Sequence, residues 1–366
     1  MVVLSGATRA AGSAVPAPDV TCAACILVDD TGRVLFARDP DVERPNASTT
    51  KMVTAMVVVE HADPEEPVVV SANAAATGGG GLDLHAGERY TVGGLLYALL
   101  LTSSNDAAVA LAEHVGGSEE RFVAEMNDFA EDLGARHTAF ANAHGLDAPG
   151  HHSTARDLAR IAVAVLRRPF LAGIVGTARA TIPGPSGSVP VENRNVLLES
   201  YPGAIGVKTG YTAGAGDTLV AAARRHHRVL VAVAMGSASA AADDVALLDY
   251  GWARLARTVL VDADAAIGEL VFGSGSTEVV AAEPLRGGES PARVSVELVP
   301  DDSVAVPISA GERVGDAVVA VGDRTIGEVP ALAGTDVGSA TQSWAAGALA
   351  GVIRAGARAL EAAGAL

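Results

Sequence analysis

Lysine is almost missing from this 366-residue chain: of 26 basic residues only Lys51 and Lys208 are lysine, the rest being arginine. Aromatic residues are scarce too, at 4%, so the core has to be packed mainly from Ala, Val and Leu. Basic charge is outweighed by 43 acidic residues, leaving a net charge of −17. That balance excludes nucleic acid or an anionic membrane as the main partner, since both favour basic surfaces. Cysteine occurs twice, in T-C-A-A-C-I-L-V-D-D at residues 21–30. A metal or redox C-x-x-C is conceivable, but the segment reads as a strand, where positions i and i+3 face opposite sides, and no second pair exists. Cys22 and Cys25 are therefore expected to be small apolar fillers.

Long apolar runs are absent as well. The stretch from Trp344 to Ile353 is too short to span a bilayer. At 100° per residue, Arg354, Arg358 and Glu361 share one stripe, so residues 342–366 are expected to form an amphipathic helix. Such a helix lies on a membrane surface, docks on a partner or packs on its own protein. The first residues lack the charged start and full apolar core of a signal peptide, although their Ala/Pro-rich end resembles the tail of one. Residues 1–21 are expected to be a leader remnant or disordered, and export of the chain is expected.

The length suits one domain of roughly 250 residues plus a smaller one. Residues 22–38 read as a hairpin turning at Asp30-Thr31-Gly32. Residues 94–115, 119–133 and 154–167 carry apolar residues at helical spacing, and I-P-G-P-S-G-S-V-P at 182–190 reads as a loop. Strand patterns return at 204–211, 217–224 and 228–236, followed by a helix over 241–256. Strands on both sides of a helical middle predict an α/β (α+β) domain over 22–257, its first and last strands sharing one antiparallel sheet. Residues 262–335 alternate strongly with Gly at the turns and predict a small β-rich domain.

The two lysines sit in telling places. Lys51 ends S-T-T-K, and Met52, Ala55, Met56 and Val59 continue one buried helical stripe that also holds Ser48. At i, i+3 spacing Ser48 and Lys51 are neighbours. A lysine facing a core loses hydration, which favours the neutral amine, and a neutral amine beside a hydroxyl can accept its proton. Arginine could not do this, because it stays charged in any protein setting. Alone, S-x-x-K is equally a helix cap followed by a snorkelling lysine. Lys208, however, opens K-T-G at the end of a strand pattern, where Gly210 lets a substrate approach the backbone. The chance that both lysines fall in such motifs is on the order of one in a few thousand. Between them, Ser103 and Asn105 form S-x-N in a break between two helices, a plain N-cap in isolation and a third cleft wall in company.

With S-x-x-K, S-x-N and K-T-G in that order, the sequence resembles the serine D-Ala-D-Ala carboxypeptidases among the low-molecular-mass penicillin-binding proteins. The likeness extends to F-A-N-A-H-G-L-D, H-H-S-T-A-R-D-L-A and G-V-K-T-G-Y-T-A-G-A-G, and covers roughly residues 22–256. More loosely, V-P-I-S-A-G-E-R-V-G through I-G-E-V-P resembles the small β-domain of many members, and 342–366 their anchor helix. The resemblance implies a penicillin-binding/β-lactamase-like transpeptidase fold, an extracytoplasmic location and no metal or cofactor. It implies that Ser48 attacks the carbonyl between the last two D-alanines of a peptidoglycan stem peptide, with Lys51 as base and Ser103 relaying a proton to the leaving amine. Asn105 would hold a substrate amide, Lys208 would keep the region electropositive, and Thr209 would bind the terminal carboxylate. Backbone N–H groups of Ser48 and Tyr211 would form the oxyanion hole beside Gly210, and β-lactams would acylate the same serine. His144, His151 and His152 match family positions that look structural.

One departure stands out. Many relatives place an arginine beyond the strand after K-T-G, where it helps grip the substrate carboxylate, but here G-S-A-S-A-A-A-D-D-V puts Asp243 near that place. Arg224, Arg225 and Arg228 are the candidate replacements. Two other functions compete: a β-lactamase, which would carry a Glu-x-x-Leu-Asn element that is missing between Asn105 and Lys208, and a non-catalytic cell-wall binding protein, which would have no reason to keep all six polar side chains.

Overall fold

In the computed structural model, residues 15–338 are described, apart from 226–227, 257–258, 273–274, 288–293, 302 and 322–323. Of the expected leader remnant, residues 1–21, the first fourteen lie outside the described residues, as does the helix over 342–366; within 15–21, Val20 is buried and Thr21 N–H donates to Asp243. The chain divides into two compact units, Met1–Gly251 and Trp252–Leu366.

The first unit is built on a five-stranded antiparallel sheet in the order Val34–Arg38, Ala24–Asp29, Arg228–Ser237, Gly216–Arg225, Ala204–Thr212. Its earliest and latest strands are neighbours, Ile26 standing opposite Val233 and Val28 opposite Val231. Period-two alternation sorts the side chains of strand Ala24–Asp29. Ile26 and Val28 join the core shared with the helical middle, where Met52, Leu99, Phe122 and Ile161 are also buried. Leu27 faces the other way, toward helix Ala240–Ala256, which approaches so closely at Gly251 that a Cβ there would lie 2.7 Å from Leu27 and Leu230 methyl carbons. The helical middle includes Lys51–His61, Asn105–Gly116, Glu119–Asp132 and Ala155–Leu166.

Two expectations fail. Residues 182–190 are not a simple loop: Arg179–Gly184 and Gly187–Glu192 pair as an antiparallel ribbon. Its prolines, Pro183 and Pro190, argue against a strand in a sheet interior, but a two-stranded ribbon has only edges, where proline is tolerated. Cys22 and Cys25 are not separate fillers but a disulfide. The strand begins at Ala24, so Cys22 lies in the irregular approach and is free of the strand alternation, and the two Cα atoms stand 6.0 Å apart, within bridging range.

In the second unit, a five-stranded antiparallel sheet runs in the order Ala266–Phe272, Gly275–Ala281, Arg324–Ala333, Arg313–Val321, Ser295–Pro300. It buries two small clusters, one around Val279, Val314 and Ala331 and one around Ala281, Ala317 and Val319. This is the small β-rich domain expected from the alternating texture.

Candidate active site

Ser48 lies in a single 3-10 turn, Ala47–Thr50, that runs directly into helix Lys51–His61. The turn is buttressed from below. Asn46 Nδ2 donates to Thr50 Oγ1 at 2.9 Å, and Thr50 Oγ1 donates to Ala47 O at 2.8 Å. His151 Nε2 stands 2.7 Å from the same hydroxyl, while its Nδ1 accepts from Ala141 N–H. With Nδ1 an acceptor, Nε2 carries the ring proton and donates to Thr50. Burial pushes His151 down to about 4, so the ring is neutral at physiological pH. Ala47 itself has φ 49°, a left-handed conformation costly for a residue with a Cβ, located immediately before the serine.

Lys51 is fully buried, whereas Ser48 remains half-buried. Lys51 Nζ is 2.9 Å from Ser48 Oγ, 2.7 Å from Asn105 Oδ1 and 2.5 Å from His144 O. Among the described residues neither Lys51 nor Lys208 has an ion-pair partner within reach. Burial, then the nearby Lys208 and Arg194, hold the Lys51 amine well below the ordinary lysine range, against a smaller opposing pull from Asp106. Burial and Arg194 bring Lys208 down to about 7.

Asn105 starts helix Asn105–Gly116 and is held by the glycine run at 78–81: its Nδ2 donates to Gly78 O at 2.9 Å and its backbone N–H to Gly80 O at 3.0 Å. Asp106, the next residue, pins that run by accepting from Leu82 and Leu84 N–H at 3.1 Å, and a Cβ on Gly81 would overlap its carboxylate. Ser103 ends the preceding turn in the left-handed region, at φ 65°, and is only 7% exposed. Its hydroxyl makes no hydrogen bond among the described residues.

The K-T-G strand, Ala204–Thr212, closes the third side. A Cβ at Gly210 would lie 3.0 Å from Ala47 Cβ and 3.1 Å from Ser48 N, so glycine lets the strand lie against the serine turn. Lys208 is 1% exposed and donates to Thr209 O at 2.9 Å, while the Tyr211 ring points outward, 73% exposed.

Of the residues named from sequence, Ser48, Lys51 and Asn105 meet by direct contact, Gly210 lies against the serine turn, and Lys208 acts on Lys51 through its charge. The structure adds groups that sequence did not supply. The carbonyl of His144 carries no side-chain signature at all. Arg194 reaches the site because its N–H donates to Leu101 O at 3.1 Å, beside the S-S-N turn, and no local pattern marks it. The run of four glycines at 78–81 was a visible signal that pointed to a close backbone approach.

The candidate carboxylate-gripping cations are elsewhere. Arg228 donates to buried Asp29 at 3.1 Å, and Arg225 donates to Tyr201 Oη at 3.2 Å. Thr209 and Tyr211 stand opposite Leu219 and Asp217, so Arg224 and Arg225 lie five to eight residues away along the same strand. At about 3.3 Å per residue that is roughly 15–25 Å. Asp243, at the place of the expected arginine, is buried and accepts from Thr21 N–H (2.8 Å), Thr21 Oγ1 (3.0 Å) and Ser237 Oγ (2.5 Å).

Comparison with known proteins identifies the family. Residues 11–239 match the D-alanyl-D-alanine carboxypeptidase family, and residues 260–339 match the penicillin-binding protein 5 C-terminal domain. Similar curated proteins include D-alanyl-D-alanine carboxypeptidase DacF of Bacillus subtilis, 31% identical over 86% of this chain and 85% of the relative. DacB2 of Mycobacterium tuberculosis is 41% identical over 62% of this chain and 78% of its own. Among solved structures, penicillin binding protein 5 from Haemophilus influenzae superposes with a TM-score of 0.63 at 28% identity, covering 88% of this chain and 99% of that one. The family match spans the whole three-sided cleft together with the helical middle that supports it. The chain belongs to the D-alanyl-D-alanine carboxypeptidase family.

Proposed function

We propose that this chain is a serine D-Ala-D-Ala carboxypeptidase that removes the terminal D-alanine of peptidoglycan stem peptides through an acyl-enzyme on Ser48, and that β-lactams acylate the same serine. The observation carrying this reading is the set of contacts around Lys51. A neutral amine has two N–H bonds and one lone pair. Asn105 Oδ1 and His144 O accept the two hydrogens, which leaves the lone pair for the Ser48 hydroxyl 2.9 Å away.

The steps follow from that arrangement. Ser48 Oγ attacks the scissile carbonyl as its proton passes to Lys51 Nζ, and the oxyanion is met by the N–H groups of Ser48 and Tyr211. Loss of one such donor typically costs about 10²–10³ in rate. The C–N bond then breaks as the proton held by Lys51 passes through Ser103 to the leaving amine of D-alanine. Water adds to the ester and gives its proton to the again neutral Lys51, which returns it to Ser48 Oγ as the ester C–O bond breaks and the shortened peptide leaves. Asn105 keeps a second Nδ2 hydrogen for a substrate amide. Thr209 receives the terminal carboxylate, and an anionic substrate favours the protonated form of Lys208. The catalytic domain is assigned to residues 22–257 and the β-rich domain to 262–335.

The place of Asp243 sets a specificity. It is a buried acceptor already used by Thr21 and Ser237, so no cation meets the substrate carboxylate from that helix. A free C-terminus is then weakly required: free-acid and amidated D-Ala-D-Ala peptides are expected to turn over at similar rates, and a strict free-acid preference would refute this. The substrate class places the protein outside the cytoplasm, and the Cys22–Cys25 disulfide suits an oxidising compartment. No helix among the described residues is long and apolar enough to cross a membrane. Peripheral membrane contact is assigned to residues 342–366.

Intact-mass measurement after penicillin treatment tests the reading. One adduct is expected on the wild-type chain and none on Ser48→Ala. An unmodified wild type, or an adduct that survives the substitution, would overturn it.

A further inference from the structure

We propose that Asp147 is a positioning residue that locks the K-T-G hairpin to the loop presenting the His144 carbonyl, and so sets the spacing of the two oxyanion-binding amides. The inference rests on the acyl-enzyme reading above. Asp147 ends the A-N-A-H-G-L-D segment and lies outside the set of groups that touch substrate.

The loop it belongs to is tied down on several sides. Asn142 Oδ1 accepts from Gly145 N–H at 2.7 Å, and Asn142 Nδ2 donates to Leu146 O at 2.9 Å. Thr54, on the helix of Lys51, donates to Ala143 O at 2.6 Å. Gly145 has φ 91°, and a Cβ there would overlap the Ala47 carbonyl oxygen, so the loop sits directly on the serine turn. One face of this loop offers His144 O to Lys51.

The other end reaches the hairpin. Thr212 Oγ1 donates to Asp147 Oδ1 at 2.6 Å, and Gly214 N–H donates to Asp147 Oδ2 at 3.0 Å. Thr212 Oγ1 also accepts from Ala215 N–H at 3.0 Å, which commits its own proton to the aspartate. A Cβ at Gly214 would lie within 3.0 Å of all three carboxylate atoms, so a larger residue there would push the carboxylate aside.

This fastening matters because of where the hairpin lies. Among the described residues the K-T-G strand is the last in its sheet, with only the Gly216–Arg225 strand as a β-partner. Its far end, Thr209–Thr212, carries the proposed amide of Tyr211 and has no β-neighbour on the cleft side. Asp147 supplies the missing restraint by tying Thr212, one residue past Tyr211, to the loop seated on Ser48. Displacement of a reacting group by about 1 Å can cost on the order of 10²-fold in rate.

The test is stopped-flow acylation by a fluorescent penicillin, resolved into the dissociation constant of the initial complex and the acylation rate constant. Asp147→Ala is expected to lower the acylation rate constant by about 10-fold or more while changing the initial dissociation constant less than threefold. Thr212→Val lowers it in the same sense, Thr212→Ser restores it, and the Asp147→Ala/Thr212→Val double variant is no slower than Asp147→Ala. A role confined to folding would change the fraction of active protein and the Tm but leave the rate per active site unchanged. Unaltered acylation in Asp147→Ala, or losses that add in the double variant, would overturn the proposal. If Asp147→Ala does not fold, Thr212→Val against Thr212→Ser decides the matter alone. Failure of wild type to acylate would instead strike the underlying acyl-enzyme reading.

Discussion

Asn105 Oδ1 accepts a hydrogen from Lys51 Nζ at 2.7 Å across 54 residues of sequence, inside a site where both side chains are almost wholly buried. The contact orients the amine without neutralising it. An amide accepts the hydrogen and adds no negative charge, so the low proton affinity caused by burial survives. A carboxylate at position 105 would hold the same geometry and restore the ammonium.

Replacing Lys51 with arginine fixes a positive charge where the reactive amine is neutral, and removes the titration. General-base catalysis contributes about 10²–10⁴ in rate, and arginine cannot supply it. Lys51→Arg is expected to lose at least about 10²-fold in penicillin acylation, measured as adduct formation against time. Acylation within a few-fold of wild type would show that another group takes the Ser48 proton.

Arg194 lowers the proton affinity of both Lys51 and Lys208. Neutralising it by Arg194→Gln lets both amines keep their protons to higher pH. The reactive form of Lys51 is neutral, so the acid limb of the acylation–pH profile moves to higher pH. A limb that stays in place, or moves down, would contradict the assigned electrostatics.

Gly145→Ala tests the seating of the loop that bears His144 and Asp147. The new methyl meets the Ala47 carbonyl and the backbone keeps φ 91°, a conformation that alone costs about 1–3 kcal/mol for a residue with a Cβ. A loss of more than about 2 kcal/mol is expected, which lowers Tm by several degrees in a chain of this size. An unchanged Tm would mean that the loop does not rest on the serine turn.

Asp244 is fully buried, and the Ala221 backbone beside it does not satisfy its carboxylate oxygens with a well-formed hydrogen bond. Burial, then the neighbouring Asp243, pushes its carboxyl well above the usual range. The folded state then binds more protons than the unfolded state above the ordinary value of 3.8, so this group costs stability as pH rises from there. Asp244→Asn removes the ionisation and is expected to raise Tm at pH 8 more than at pH 4. An equal change at both values would show that the carboxyl does not titrate differently on folding.

Much of the site is written locally in the chain. The i, i+3 spacing of Ser48 and Lys51 places a hydroxyl beside an amine on any helix, and the apolar stripe from Met52 onward buries that amine. Alternation in 204–211, 217–224 and 228–236 likewise yields the strands, because a half-buried strand must repeat every two residues. The misreadings share a cause. The ribbon at 179–192 and the Cys22–Cys25 disulfide depend on whether a segment lies at an edge or just outside a strand, and neither condition leaves a mark on residue type.

The sequence by itself determined the chemistry on offer: a scarce amine, a serine one helical turn before it, and a second amine beside a glycine that admits a neighbour. Tertiary structure decided how that chemistry is aimed. It brought Asn105 and the His144 carbonyl to Lys51, Arg194 to both lysines and Asp147 to Thr212. Backbone carbonyls are the same at every residue and charges act through space, so only the folded chain selects which of them the amine meets.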